Sequence, residues 1–238
     1  MSRKIVRLTL DHLAELPGSC ASCLFWEADP VRRARVSAGD APEVKEAWVS
    51  EVLREWGSCG RVALVDDVPV GHAIYAPAAM VPGAAVFPTA PVSSDAVLLT
   101  SMGVESDPAT DGLQHELVAR VVAELIRRGV RALEAFGRTT LAADLLEAPA
   151  VDPAVRAAVE ALGDCSFDQC MIAADFLQEV GFVVVSPHPY FPRLRLELTK
   201  GLGWKAEVEA ALERLLESSQ LEQPVGAGST ISAQPAGG

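Results

Sequence analysis

The chain lacks any apolar run long enough to cross a membrane. Its strongest one, Ala96-Val97-Leu98-Leu99, falls far short of the roughly 20 residues a span needs. A signal-peptide core is also absent, because Met1 to Arg7 alternates charge and aliphatics. Basic charge is in deficit: 20 Lys and Arg stand against 32 Asp and Glu, for a net charge of -12. Such a chain repels phosphate backbones and anionic lipid surfaces, so neither nucleic acid nor membrane is an expected partner. A basic or amine-bearing substrate is electrostatically welcome. Cysteine is scarce and odd in number, with 5 residues whose spacing gives no secreted disulfide framework. A cytoplasmic protein with reduced thiols is the expected class. Apolar residues, by contrast, make up 50% of the 238, enough for one substantial core, alone or with an appendage.

Periodicity orders the elements. Lys4 to Thr9 reads as a strand, and Asp11 to Leu16 as a short helix or turn stopped by Pro17-Gly18. Pro42 to Trp56 reads as a helix with Val44, Trp48, Val52 and Trp56 in one stripe, closed by Gly57. Arg61 to Val65 and Val68 to Tyr75 form a hairpin around Asp66-Asp67. Ala76 to Pro91 is an ordered loop or insertion. Asp95 to Val104 has the near-continuous apolar run of a central strand covered on both faces. Asp111 to Arg128 is the clearest helix, striped by Leu113, Leu117, Val121 and Leu125, with Gly129 beyond it. Val130 to Phe136 is the next strand. An irregular stretch, about 138–165, reads as an insertion with a helix after Pro153. Cys170 to Val180 is a helix with Phe176 and Val180 on one face. Phe182 to Val185 and Leu194 to Leu198 close the list of strands. An acidic amphipathic helix follows within 200–218. Residues 219–238 are too rich in Ser, Gln, Gly, Pro and Ala to bury a core, so a disordered tail is expected.

The helix-to-strand unit Ala173-Ala174-Asp175-Phe176-Leu177-Gln178-Glu179-Val180-Gly181-Phe182 resembles the last shared segment of the GNAT-fold N-acetyltransferase superfamily. The element order over residues 4–199 is similar to that family's. The resemblance implies a mixed α/β fold, a central mixed sheet flanked by helices. It also implies transfer of an acyl group, acetyl in the first place, from acyl-coenzyme A to an amine on a small molecule or a protein. Acetyl-CoA would be the cosubstrate. The family's pyrophosphate loop corresponds to Asp107 to Leu117, where backbone donors open a helix. Met102, Val104, Thr110, Asp111, Gly112, Leu113 and Gln114 are therefore the expected cofactor-binding residues. Gly112 matches a family glycine, while Thr110 and Gln114 replace small residues and the loop carries no basic side chain. Asp111 suits a helix N-cap equally well.

Register from Gly181-Phe182 places Leu177 where the family's tyrosine protonates the leaving thiolate, and Cys170 at its asparagine. Leucine carries no proton. Cys170 is thus either the acid or a packed thiol. Glu105, after the central strand, and Glu27, which follows Trp26 in an aromatic setting able to raise its pKa, are candidate bases. Glu134 and His72 are further candidates, and His188 reads as a loop residue. Cys20 and Cys23, with Cys165 and Cys170 as a looser second pair, admit three roles: zinc ligands, a redox pair, or core packing. No metal is assigned. The Cys-x-x-Cys segment ending in Phe-Trp-Glu resembles a divergent GNAT subgroup. A catalytically degenerate GNAT-like module for sensing or association, with a homodimer formed through a sheet edge or the helix at Leu202, is the alternative reading.

Overall fold

A single mixed sheet organises the described residues, which are 2–16, 18–143 and 170–198 of a computed structural model. They belong to one compact unit, Met1–Thr199. The strands are β1 (Arg3–Arg7), β2 (Gly60–Val65), β3 (Val68–Pro77), β4 (Ala96–Val104), β5 (Ala132–Arg138), β6 (Ile172–Ala173), β7 (Val183–Ser186) and β8 (Arg193–Glu197). Their spatial order is β1-β2-β3-β4-β5-β8-β7, with β6 added to β5. β1 through β4 run antiparallel to their neighbours, β4 and β5 are parallel, and β8 returns antiparallel. The mixed α/β order expected from the family resemblance is borne out, including the hairpin before the central strand.

Local chemistry explains the turns. Asp66 and Asp67 both take positive φ, 48° and 68°, as the tight two-residue hairpin turn demands. Helix α1 (Pro30–Arg33) is capped by Asp29, whose carboxylate accepts from the amides of Val31 and Arg32. Helix α2 (Ala41–Trp56) ends on Gly57 in the left-handed region. Its inward face is Trp48, Val49 and Val52, packed on Val62, Leu64, Ile74 and Leu98. Alternation turns Arg61 and Ala63 to the other side of the sheet. There helix α3 (Leu113–Arg127) covers β2, β3 and β4. Buried Glu124 pins α3 by accepting from Arg61 at 2.9 Å, from Arg127 at 2.6 Å and from Arg7 at 3.3 Å.

Between β3 and β4 the expected ordered loop contributes to the core through Val81, Ala84 and Phe87. It is held by Gly83, whose amide donates to Trp26 O at 3.1 Å. A Cβ on Gly83 would lie 2.1 Å from Phe25 O and 2.8 Å from Trp26 Cα, so only glycine fits that approach.

Two expectations need correction. The helix expected over 170–180 is shorter: α4 spans Ala174–Glu179, because Ile172 and Ala173 are drawn into a parallel ladder with Gly137 and Arg138. Its buried residues are Ala174 and Leu177, not Phe176 and Val180. Gly181 does terminate the unit, at φ 98°. Asp111 is not the cap of α3; Gly112 is, at φ 74°, with no side-chain bond. The expected insertion begins inside β5, and most of it lies outside the described residues. So do Cys165, the helix expected after Pro153, the helix at 200–218 and the tail at 219–238. No helix among the described residues is long and apolar enough to cross a membrane.

Candidate active site

The sheet parts at its centre. β4 and β5 pair only at Ala96↔Ala132, Val97↔Leu133 and Leu98↔Glu134. β4 then continues to Val104 along β3 alone. A bulge sits where the strands separate: Ile74 faces Ser101 and Tyr75 faces Leu99, leaving Thr100 as the extra residue. The Thr100 hydroxyl closes the bulge by donating to Ile74 O at 3.0 Å. Beyond it, the Glu105 amide donates to Val70 O on β3 at 2.8 Å. Alternation therefore turns the amides of Met102 and Val104 to the opposite edge, where no described strand meets them. On β5 the Gly137 amide donates to Pro192 O, so the β6 ladder lies on the β5 edge that faces β4. The opening is thus walled by the free edge of β4 and by the chain from Cys170 to Ala173.

The free edge leads to the start of α3. The first helical bond runs from Glu116 N to Gly112 O, so the amides of Leu113, Gln114 and His115 have no helical acceptor and form the positive end of the helix dipole. The loop before them is fixed from inside. The Thr110 hydroxyl donates to Glu105 O at 2.6 Å, with Asp107 O at 2.7 Å, and Asp107 accepts from Ala109 N. Leu113 is buried as the anchor of α3, while Asp111 and Gln114 are exposed. A Cβ on Gly112 would meet nothing within 4 Å, so the space beside the helix start is open. A residue far away in sequence reaches this loop: Arg3 donates to Asp111 O at 3.2 Å.

The Cys20–Glu27 segment closes the other wall. Trp26 stacks on Phe87 (5.2 Å) and Phe136 (6.2 Å), and Phe136 lies just past the last β4–β5 pair. The Trp26 indole donates to Cys170 O at 3.0 Å, and the thiols of Cys23 and Cys170 lie 3.7 Å apart. Glu27 is 3% exposed. Its Oε1 accepts from Lys45 Nζ at 2.6 Å and its Oε2 from the Trp26 amide at 3.2 Å. Lys45 also donates to Cys23 O at 3.0 Å. Burial pushes the Glu27 carboxyl up, against the pull of the Lys45 ammonium. The expectation of a desolvated Glu27 beside Trp26 matches this surrounding. Lys45 lies outside the apolar stripe expected for this helix, yet Lys45, Trp48, Val49 and Val52 share one buried face of α2 at helical spacing, the signal by which it can be found.

Glu27 and Cys170 are linked through Cys23, whose carbonyl shares Lys45 with Glu27 and whose thiol lies against that of Cys170; Glu105 stands apart. Glu105 is exposed, five residues past Thr100, or about 17 Å along a strand. His72 is 1% exposed and burial lowers its pKa to about 4; neither ring nitrogen has a partner among the described residues. Its ring lies against Gly103, where a Cβ would come within 3.1 Å. Glu134 is no free base. It accepts from Arg193 at 2.5 Å, Arg195 at 3.1 Å and the Ser93 amide at 3.1 Å. Desolvation raises its pKa, yet these donors together hold the carboxyl below its ordinary value. His188 is a turn residue whose Nδ1 accepts from the amides of Tyr190 and Phe191. Leu177 is fully buried. No group of three or more metal-ligating side chains occurs among the described residues.

No protein-family model matches the chain, and no curated protein matches it in sequence. Among solved structures, YncA of Salmonella typhimurium, with its cofactor acetyl-CoA, is 16% identical, with a TM-score of 0.48 over 84% of this chain and 96% of its own. The PaiA N-acetyltransferase of Thermoplasma acidophilum, in complex with coenzyme A, is 10% identical, with a TM-score of 0.44 over 83% and 99%. The ribosomal-protein-S18-alanine N-acetyltransferase of Escherichia coli is 15% identical, with a TM-score of 0.42 over 84% and 96%.

Proposed function

We propose that this chain transfers an acyl group, acetyl in the first place, from acyl-coenzyme A to an amine. The observation that carries the reading is the parting of β4 from β5 beside the Thr100 bulge, with a free strand edge running to an uncapped helix start. A pantetheine arm is extended and carries amides, so it can add to a strand edge as a peptide does. In this reading the amides of Met102 and Val104 pair with it. The amides of Leu113 and Gln114 receive the pyrophosphate, Gly112 leaves room for it, and Thr110 holds the loop in shape. Arg3, held on Asp111 O, adds a positive charge beside this loop.

The thioester then lies at the opening, between the bulge and the Cys170 wall. A neutral amine attacks its carbonyl carbon, the C–S bond breaks, and the amine loses a proton. In this reading Glu27 accepts that proton through a water, since the carboxylate itself is buried. Cys170 returns a proton to the departing thiolate. Glu105 stands too far along β4 to take part.

The test is binding, then turnover. Acetyl-CoA at 100 times its dissociation constant should stabilise the protein by about 2.7 kcal/mol, raising Tm by roughly 5–11 °C for a domain of this size. No rise at millimolar acetyl-CoA overturns the reading. The buried Leu177 favours a second reading, an acyl-CoA-binding module without catalysis. That reading is met if Tm rises but no amine in a broad panel releases coenzyme A.

A further inference from the structure

We infer that Cys23 and Cys170 are an oxidisable dithiol, which a hydroperoxide converts to a disulfide stapling the Cys20–Glu27 segment to the wall of the opening. The two residues are 147 apart in sequence, yet their sulfurs lie 3.7 Å apart, at van der Waals contact. A disulfide requires about 2.05 Å, so side-chain rotation has to close only the remaining gap. The backbones are already docked without it. Trp26, three residues after Cys23, donates to Cys170 O, and Lys45 fixes Cys23 O.

Exposure assigns the order of events. Cys23 is half-buried and Cys170 buried, so Cys23 meets the oxidant. Its thiolate attacks one peroxide oxygen, the O–O bond breaks, and the other oxygen leaves as water or alcohol after taking up a proton. The resulting sulfenic acid is attacked by the Cys170 sulfur, and its hydroxyl leaves as a second water. Two thiols are oxidised and one peroxide is reduced. Cys59 stays out of this chemistry, because burial pushes its thiol pKa up.

If the acyltransferase reading holds, oxidation also removes the proton donor and silences turnover, but the disulfide stands or falls without it. The experiment uses the full-length protein, reduced, desalted, treated with hydrogen peroxide and alkylated, followed by non-reducing peptide mapping. The expected product is a Cys23–Cys170 linked peptide lacking two hydrogens, reversed by dithiothreitol. The link should persist in Cys20→Ser and vanish in Cys23→Ser and Cys170→Ser. The wild-type map needs no variant to fold. A dominant Cys20–Cys23 link overturns the assignment. So does a stable sulfenic acid on Cys23 with Cys170 still alkylated, or stoichiometric zinc that blocks the thiols until it is chelated.

Discussion

Glu27 and Glu134 are both buried carboxylates, but the groups around them differ in number and charge. Glu134, on β5, has two guanidinium groups from β8 and the Ser93 amide on its two oxygens. Desolvation pushes its pKa up, but these donors outweigh it and hold the carboxyl below its ordinary value, so the anion is the favoured form at neutral pH. Glu27 has one ammonium and one amide, and desolvation by burial outweighs them and raises its pKa. Burial is shared; donors are not. The comparison separates a carboxylate that fastens strands from one whose proton affinity lies nearer to that of a working base.

The largest effect that would sharpen this contrast is on rate. Glu27→Gln should lower amine acylation about 10²–10⁴-fold and flatten the acidic limb of the pH–rate profile, because a base must lose its proton before it acts. A loss no larger than the drop in folded fraction would confine Glu27 to structure. Lys45→Met should destabilise by about 3–5 kcal/mol, since it leaves a buried carboxylate alone; Lys45→Met with Glu27→Leu should recover most of that in urea unfolding.

Glu134→Gln should cost less, about 1.5–3 kcal/mol at pH 7, the worth of bonds to a charged group. Its pH dependence has a definite sign. The folded pKa lies below the unfolded one, so the contribution is present above the unfolded value of about 4.3 and is lost as pH falls through the folded value. Wild type and variant should therefore converge on acidification; a constant gap would contradict the assignment. Gly112→Ala should cost about 1–2 kcal/mol from its left-handed backbone alone, since the added methyl meets open space. Glu105→Gln should leave turnover within about twofold of wild type, as expected of a surface change; a collapse of rate would return Glu105 to the proton path.

Much of the frame could be read locally. The Asp66-Asp67 turn, the α2 stripe ending at Gly57 and the apolar run of β4 each carry their cause within a few residues. The opening does not. Thr100 lies inside a near-continuous apolar strand, and only its register against Ile74 and Tyr75 reveals the bulge. Arg3 reaches Asp111 across 108 positions, a distance no window covers. The pattern at Ile172 and Ala173 continues the helix of 174–179, and only the ladder offered by β5 shortens it. Trp26 marks Glu27 from its own sequence neighbourhood, whereas the arginines that set Glu134 apart come from β8.

The tight approach at Gly83 has a use in searching. The methyl of alanine there would collide with the backbone of Phe25 and Trp26, so the aromatic plug and the glycine must travel together through any lineage that keeps this packing. A glycine standing 56 positions after Trp-Glu (Trp26, Glu27, Gly83), allowing for loop length, is then a spelling rule. It can pick out sequences that share this wall even where overall identity has fallen too low to align them.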